Sequence, residues 1–273
     1  VIGDKATDAV GRGLSKLGMP MWSSAFPLAY YPHAIKTQPS ELKVVYFPSC
    51  INQTMGKSKG QSTPLIDKMV ALMEKAGYEV IFPKNMKNLC CGTIWESKGM
   101  PDIADRKAKE LDDALFEASD GGRYPVLCDQ SPCLHRMRNT IKRVKLYEPV
   151  EFIYEYLAPH LRFVQTDEPV ALHFTCSTRH MNLNDMFVAL AGMCTTKVVV
   201  PEEVGCCGFA GDKGFTDPEV NRYALRKLRK QLEAAGVKRG FSNSRTCEIG
   251  LTVNGGVPYQ SIAYLVDECT IKK

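Results

Sequence analysis

The chain has 273 residues, 44% of them hydrophobic and 24% charged, with a net charge of +5 and eleven cysteines. That length and balance suit a globular protein with one large or two small domains, and they exclude a disordered or fibrous chain. The mild positive charge has no cluster and carries no nucleic-acid meaning, and no apolar run approaches the roughly eighteen residues of a spanning helix. The opening residues do not read as a secretory signal peptide either. The chain opens at Val1 without a methionine, so it is expected to be a piece of something longer.

Residues 1–42 read as a lead-in from a preceding domain. Asp8 to Leu17 can form a short helix weakened by Gly11, Gly13 and Gly18. Pro20, Pro27, Pro32 and Pro39 then punctuate a segment bearing Trp22, Phe26, Tyr30 and Tyr31, an irregular path whose aromatics should pack on this chain or on a neighbour. From Lys43 the pattern becomes α/β. Val44 to Phe47 is a buried-type strand running into Pro48-Ser49-Cys50. A helix follows with Thr63 as N-cap and Pro64 first, Leu65, Met69, Leu72, Met73 and Ala76 on its apolar face, and Gly77 as its stop. A strand over Tyr78–Phe82 leads to Cys90-Cys91-Gly92. A helix from Pro101 to Ala118 ends before Gly121-Gly122, and a third strand, Tyr124 to Leu127, ends at Cys128. Pro149 to Leu157 makes one more helix.

The second half repeats the first. Val170 to Phe174 is a strand ending near Cys176, 183–191 a short helix stopped by Gly192, and Lys197 to Val200 a strand leading to Cys206-Cys207-Gly208. Asp217-Pro218 caps a helix with Leu225, Leu228, Leu232 and Ala235 on its face, ended by Gly236. Gly240 to Ser242 is a weak strand before Cys247, and Pro258 to Asp267 is the closing helix, echoing Pro149 to Leu157. The chain therefore reads as an internal duplication of about 110–120 residues per unit. The expected units are 43–166 and 167–273, each a small parallel sheet flanked by helices. In both, the cysteines fall beyond the C-terminal ends of the strands, where open parallel sheets gather ligands. The two units are expected to pack about a pseudo-twofold axis.

Nine cysteines obey this repeat: Cys50, Cys90, Cys91, Cys128 and Cys133, then Cys176, Cys206, Cys207 and Cys247. On this alignment Cys247 answers Cys128, and Gly250 stands where a fifth cysteine would fall. An odd cysteine count with two vicinal pairs in a large chain speaks against a secreted disulfide framework and for a reducing cytoplasm. Thiolates hold both zinc and iron–sulfur clusters. Zinc sites usually show Cys-x2-4-Cys pairs, with no Cys-x2-Cys here, and the compact ferredoxin run is missing too. Adjacent cysteines suit a multi-iron cluster, whose neighbouring irons can take one thiolate each, better than one tetrahedral ion. The glycine after each pair allows a tight turn and close backbone approach. Cys194 and Cys269 lie outside the repeat and read as small buried residues. His173 and His180 flank Cys176, and His135 follows Cys133; each suits packing or a hydrogen bond to a thiolate, with a Cys/His nucleophile as the alternative. Asp129, Glu202 and Glu203 lie near the cysteines without a partner the sequence can name. Neither a GxGxxG nor a P-loop is present, so neither dinucleotide fingerprint operates.

Two copies of cysteine, Cys-Cys-Gly and a further cysteine at long spacing resemble the tandem cysteine-rich (CCG) domains of heterodisulfide reductase and its relatives, over residues 43–270. Tyr46-Phe47-Pro48-Ser49-Cys50, Cys128-Asp129-Gln130-Ser131-Pro132-Cys133 and His173-Phe174-Thr175-Cys176-Ser177 look most like the C-terminal part of FAD-linked D-lactate dehydrogenases. The resemblance implies a four-iron, non-cubane type of iron–sulfur cluster held by the nine cysteines. It also implies electron transfer from a flavin toward a quinone or other acceptor, with FAD and ferredoxin-type domains on a preceding part of the polypeptide or on a separate subunit. The place implied is the cytoplasm or the inner face of its membrane. Alternatives are a thiol/disulfide reductase like heterodisulfide reductase itself, or a zinc-stabilised docking domain. The chain departs from the family's Cys-x2-Cys, with Cys-x4-Cys at Cys128 and Cys133 and four of five cysteines in the second unit.

Overall fold

A computed structural model describes the whole chain except residues 1–2, 21, 23–25, 31–34, 36 and 59–60. Tyr31 and Pro32 of the lead-in lie outside the described residues. Two four-stranded parallel sheets carry the architecture. In the first, β1 (Lys43–Phe47), β2 (Glu79–Ile81), β3 (Val126–Cys128) and β4 (Leu146–Tyr147) run in the order β2-β1-β3-β4. After a short strand β5 (Leu161–Phe163), the second sheet uses β6 (Val170–Leu172), β7 (Val198–Val199), β8 (Arg239–Phe241) and β9 (Tyr259–Gln260) in the equivalent order β7-β6-β8-β9. The registers match as well: Phe47 lies opposite Cys128, and Leu172 opposite Phe241. The last strand, β10 (Thr270–Lys272), turns back and pairs antiparallel with β5.

Three apolar clusters hold this together. The largest belongs to both halves: Val44 and Tyr46 of β1, Met69 and Leu72 of the helix Leu65–Lys75, Phe152, Phe187 and Leu190, and Ile262 to Val266 pack as one core. The helix Leu65–Lys75 lies on the helix Ile262–Glu268, and the helix Asn184–Cys194 lies on Pro149–Phe152. Each half thus packs its first long helix against the last helix of the other, as a pseudo-twofold arrangement requires. The other clusters belong to one half each, around Leu111, Leu115 and Met137 and around Leu225, Leu228 and Leu232.

The strongly periodic segments form where the pattern puts them. Pro101–Ala118 is helical with Ala104, Ala108, Leu111 and Leu115 buried. The helix expected to start at Thr63-Pro64 begins at Leu65, with Pro64 at its N-cap; the Thr63 carbonyl instead accepts from the Tyr264 hydroxyl, 2.9 Å away. The lead-in helix spans Asp4–Ser15. Phe26 packs edge-on against Phe215 at 5.1 Å and the Tyr30 hydroxyl donates to Asp67 at 2.7 Å, so these aromatics pack on this chain.

Four local expectations change. Gly192 does not stop its helix, which runs on to Cys194 because Leu190, Ala191 and Cys194 are buried and outweigh one glycine's cost of about 1 kcal/mol. The helix expected from Asp217 to Gly236 is two helices, Pro218–Ala224 and Leu228–Ala234, divided where tight i→i+3 bonds replace the α pattern. Pro149–Leu157 starts α-helical and widens into a π turn from Ile153. The closing helix starts at Ile262, after β9. Since Glu148 and Ser261 each cap the helix after the fourth strand, Pro149 corresponds to Ile262 and not to Pro258.

Candidate metal centre

Every strand of the first three in each sheet ends at a cysteine-bearing turn. After β1, Ser49 caps the helix Cys50–Thr54, its hydroxyl accepting from the Asn52 amide, so Cys50 opens that helix. After β6, Thr175 does the same for Cys176–His180, accepting from the Thr178 amide at 3.0 Å. The Cys-Cys-Gly turns follow β2 and β7. After β3 and β8, Cys133 is the third residue of the helix Ser131–Thr140 and Cys247 the third of Arg245–Gly255. Cys247 therefore answers Cys133, not Cys128, whose counterpart is the strand-terminal Phe241.

Eight of the nine repeat cysteines line one cavity of about 480 Å3: Cys50, Cys90, Cys91 and Cys133 from the first half, Cys176, Cys206, Cys207 and Cys247 from the second. Ile51, Ile94 and Phe215 add apolar wall. Cys128 is not in the lining; it is fully buried in the outer core of the first half, its Sγ 3.8 Å from the Gln130 carbonyl.

The thiols form two rows. Cys50 hydrogen-bonds Cys90, Cys90 meets Cys91, and Cys91 meets Cys133; Cys176, Cys206, Cys207 and Cys247 repeat the sequence, with the last two sulfurs 3.1 Å apart. Hydrogen bonds from Cys50 and then Cys91 hold the Cys90 thiol down at about 3, and those from Cys176 and Cys207 hold Cys206 at about 2. Their neighbours move the other way. Cys50 and Cys176 are pushed up by the hydrogen bond to that partner and then by burial. Cys91 sits at about 11, where donation from Cys133 is outweighed by Cys90 alongside and by burial. Thiols this close cannot all ionise beside one another; a cationic group among them removes that cost, so the donor set fits a metal cluster. Among the described residues no three His, Cys, Asp or Glu side chains are arranged to hold a single metal ion.

The backbone around the rows is built for sulfur. The Gly92 amide donates to Cys90 Sγ at 3.4 Å and the Gly208 amide to Cys206 Sγ at 3.3 Å. Both glycines have positive φ, +86° and +71°. A Cβ on Gly92 would overlap the Ala104 carbonyl oxygen, and one on Gly208 would lie 2.7 Å from Ala224 Cβ. The glycines thus let each cysteine pair press against a neighbouring helix. Two residues that sequence reasoning passed over fix the pairs from behind: buried Arg136 donates through Nε to the Cys91 carbonyl at 3.1 Å, and Asn221 through Nδ2 to the Cys207 carbonyl at 2.5 Å. Arg136 is one helical turn past Cys133, a spacing that could have flagged it.

A buried polar seam joins the halves below the cavity. The Ser131 amide donates to the Asn243 carbonyl at 3.0 Å, and the Arg245 amide to Gln130 Oε1 at 3.0 Å. The Arg245 side chain, fully buried, reaches Asn52 at 3.1 Å and Glu248 at 2.7 Å. Glu148 accepts from Ser131, Asn243 and the Val150 amide, and burial pushes it up to about 7. Asp129, left without a partner by the sequence, accepts from the Tyr46 hydroxyl at 2.8 Å and the Ser49 amide at 2.9 Å. Glu203 pairs with Lys227 on the surface, and Glu202 contributes only backbone groups, bonded to Gln231. His173 is buried with Nδ1 3.3 Å from Ser242 Oγ, and burial lowers it to about 4. His135 and His180 face each other with ring centroids 5.7 Å apart and are not in the cavity lining. No helix among the described residues is long and apolar enough to cross a membrane.

Comparison with known proteins agrees with this arrangement. Lactate utilization protein A 1 of Bacillus mycoides (strain KBAB4) is 22% identical over 248 residues, covering 83% of this chain and 97% of that one. A solved structure of a hypothetical protein from Helicobacter pylori, 9% identical, superposes with a TM-score of 0.57 over 94% of this chain and 53% of its own, a likeness of fold. The family model for the cysteine-rich domain, CCG, matches residues 44–138 and 170–252, one stretch in each sheet's half and together more than half of the chain. Two matched copies, each ending its strands in cysteines at the same cavity, make this chain a member of the cysteine-rich (CCG) domain family.

Proposed function

We propose that the chain is an iron–sulfur electron-transfer module serving a flavin-dependent 2-hydroxyacid dehydrogenase of the D-lactate type. The observation that carries this reading is the pair of four-thiol rows facing one cavity. Family membership and the likeness to a protein named for lactate utilization support the redox role and the substrate class. The ligands assigned are Cys50, Cys90, Cys91 and Cys133 in one row and Cys176, Cys206, Cys207 and Cys247 in the other, with Cys128 left to the core. When bound, a four-iron cluster supplies one-electron acceptance and donation. The chain's own part is to present the thiolates, donate the Gly92 and Gly208 amides to sulfur, and wall the space with Ile51, Ile94 and Phe215. Flavin, hydroxy-acid oxidation and ferredoxin-type relays belong to other domains or subunits, and a quinone or other acceptor takes the electrons. The unit boundaries proposed remain 43–166 and 167–273 behind a lead-in of 1–42.

The test is iron, acid-labile sulfide and zinc per chain, on protein made and purified without oxygen. Roughly four or more irons with matching sulfide, lost in Cys90→Ser and Cys206→Ser, is the expected result. Zinc in stoichiometric amount without sulfide would refute it, as would lactate oxidation by the chain with no flavoprotein added. The cavity between the rows, about 480 Å3, also has room for a small disulfide, which favours a second reading as a disulfide reductase. Turnover of small disulfides with reduced viologen separates the two.

A further inference from the structure

Two cysteines lie outside the cavity and outside the repeat. Cys194 is the last residue of the helix Asn184–Cys194, and Cys269 caps the end of Ile262–Glu268. Both are buried. Cys269 Sγ lies 3.5 Å from the Cys194 carbonyl oxygen, and the two thiols are close enough to hydrogen-bond each other. Neither touches the cavity. The segment joining the two halves hangs from the same two residues: the Val164 amide donates to the Cys269 carbonyl at 2.8 Å and the Thr166 amide to the Cys194 carbonyl at 2.9 Å. The Arg239 guanidinium stands beside the pair, bridging Glu168 at 2.9 Å and Glu268, with its buried Nε unpartnered. A hydrogen bond from the Cys194 thiol, helped by the Arg239 charge and opposed by burial, Glu268 and Glu168, leaves the Cys269 thiol below its ordinary value. Val164, half exposed, adjoins Cys269 in space through that amide bond, and the three-residue strand β10 directly follows Cys269 in sequence.

We propose that Cys194 and Cys269 are a dithiol–disulfide pair, separate from the cavity thiols, that peroxide-class oxidants close into a covalent staple across the second half. The Cys269 thiolate attacks a peroxide oxygen; an S–O bond forms, the O–O bond breaks, and hydroxide leaves to take up a proton as water. The Cys194 sulfur then attacks the sulfenic sulfur; the S–S bond forms, the S–O bond breaks, and a second water leaves with the Cys194 proton. Two electrons pass from the two sulfurs to one hydrogen peroxide, giving one disulfide and two waters. The closed loop runs from residue 194 to 269 and so contains Cys206, Cys207 and Cys247. The staple would hold three of the four thiol positions of the second row in place under the oxidising conditions that strip thiol-bound metal. It does not depend on what the cavity binds.

The experiment is peptide mapping of the chain as purified without oxygen, then treated with hydrogen peroxide or equilibrated in glutathione redox buffers, quenched in acid and alkylated. Digestion with trypsin and a protease that cuts after Glu248 and Glu268 separates Cys269 from Cys247. The expected result is a Cys194–Cys269 cross-linked peptide in about half or more of the chains at oxidising glutathione ratios. In Cys194→Ala, peroxide should leave Cys269 as a sulfenic acid that dimedone traps. A rise in thermal midpoint of several degrees on oxidation should be seen in the unmutated chain and lost in Cys194→Ala and Cys269→Ala. Recovery of Cys194 and Cys269 as free thiols after these treatments, or bonded only to cavity cysteines, would overturn the proposal whether or not the variants fold.

Discussion

Replacing Gly92 by alanine separates the two demands that the Cys-Cys-Gly turn makes on its third residue. One demand is conformational: φ is +86°, where an L side chain costs about 1–2 kcal/mol. The other is spatial: the added Cβ would overlap the Ala104 carbonyl oxygen and lie 3.0 Å from Arg136 Nε and 3.1 Å from the Ala104 carbonyl carbon. Backbone of the long helix Pro101–Ala118 is one of the obstacles, so relief needs a helix shift, and overpacking of that kind adds about 1–3 kcal/mol. Gly99 is the matched control, with φ +74° and nothing within 4 Å of a Cβ. Gly92→Ala should therefore cost about 2–5 kcal/mol and Gly99→Ala only about 1–2. The assay is urea unfolding of both variants, prepared without oxygen, followed by far-ultraviolet circular dichroism. Equal midpoints for the two would refute the argument that the turn is pinned against that helix.

Three further outcomes are expected. Cys128→Ala should keep the metal content of the unmutated chain, because Cys128 lies in the core and not in the cavity lining, whereas Cys133→Ser and Cys247→Ser should each lower it; equal loss in all three, measured as iron per chain, would contradict the placement. Arg136→Met removes the donor to the Cys91 carbonyl and the ties to Asp105 at 2.8 Å and to Glu96; urea unfolding should show a loss of about 2–4 kcal/mol, and a loss below about 0.5 would make the contact incidental. Glu148 is raised by burial from 4.5 to about 7 in the folded chain. Its contribution is present below the unfolded value and is lost as pH rises through about 7, by up to roughly 3 kcal/mol. Glu148→Gln should flatten the fall of unfolding free energy between about pH 5 and 7, and an unchanged slope would show that this carboxyl does not titrate there.

What the sequence made readable follows the strength of its periodic signals. Pro101–Ala118 and the apolar face of Leu65–Lys75 were legible because long helices repeat their buried positions several times. The fourth strands were not: Leu146–Tyr147 and Tyr259–Gln260 have two residues each, too few for an alternation to register. Missing them displaced the echo between the last helices by four positions, since proline recurs in both but caps neither helix. The same blindness misplaced Cys247. Spacing along the chain pairs it with Cys128, whereas position along the following helix pairs it with Cys133. The convergence of both cysteine sets on one cavity needed the packing of Leu65–Lys75 on Ile262–Glu268, a contact no local pattern contains. Asn221 acts through a backbone carbonyl and leaves no motif, and Arg136 leaves only its one-turn spacing from Cys133.

That packing also governs how the chain can reach its fold. Lys68 meets Asp267 at 2.5 Å, and Lys75 reaches the Thr270 carbonyl at 3.1 Å, both across more than 190 residues. During synthesis the first half emerges with Met69, Leu72 and Met73 facing a partner helix that does not yet exist. Contacts of such long range are formed late and slowly, because the intervening loop must be closed before they repay its entropy. The two halves resemble each other but share one apolar core. The thiol-lined cavity draws its walls from both halves, from Cys50 to Cys247, so it can be complete only after most of the second half has emerged.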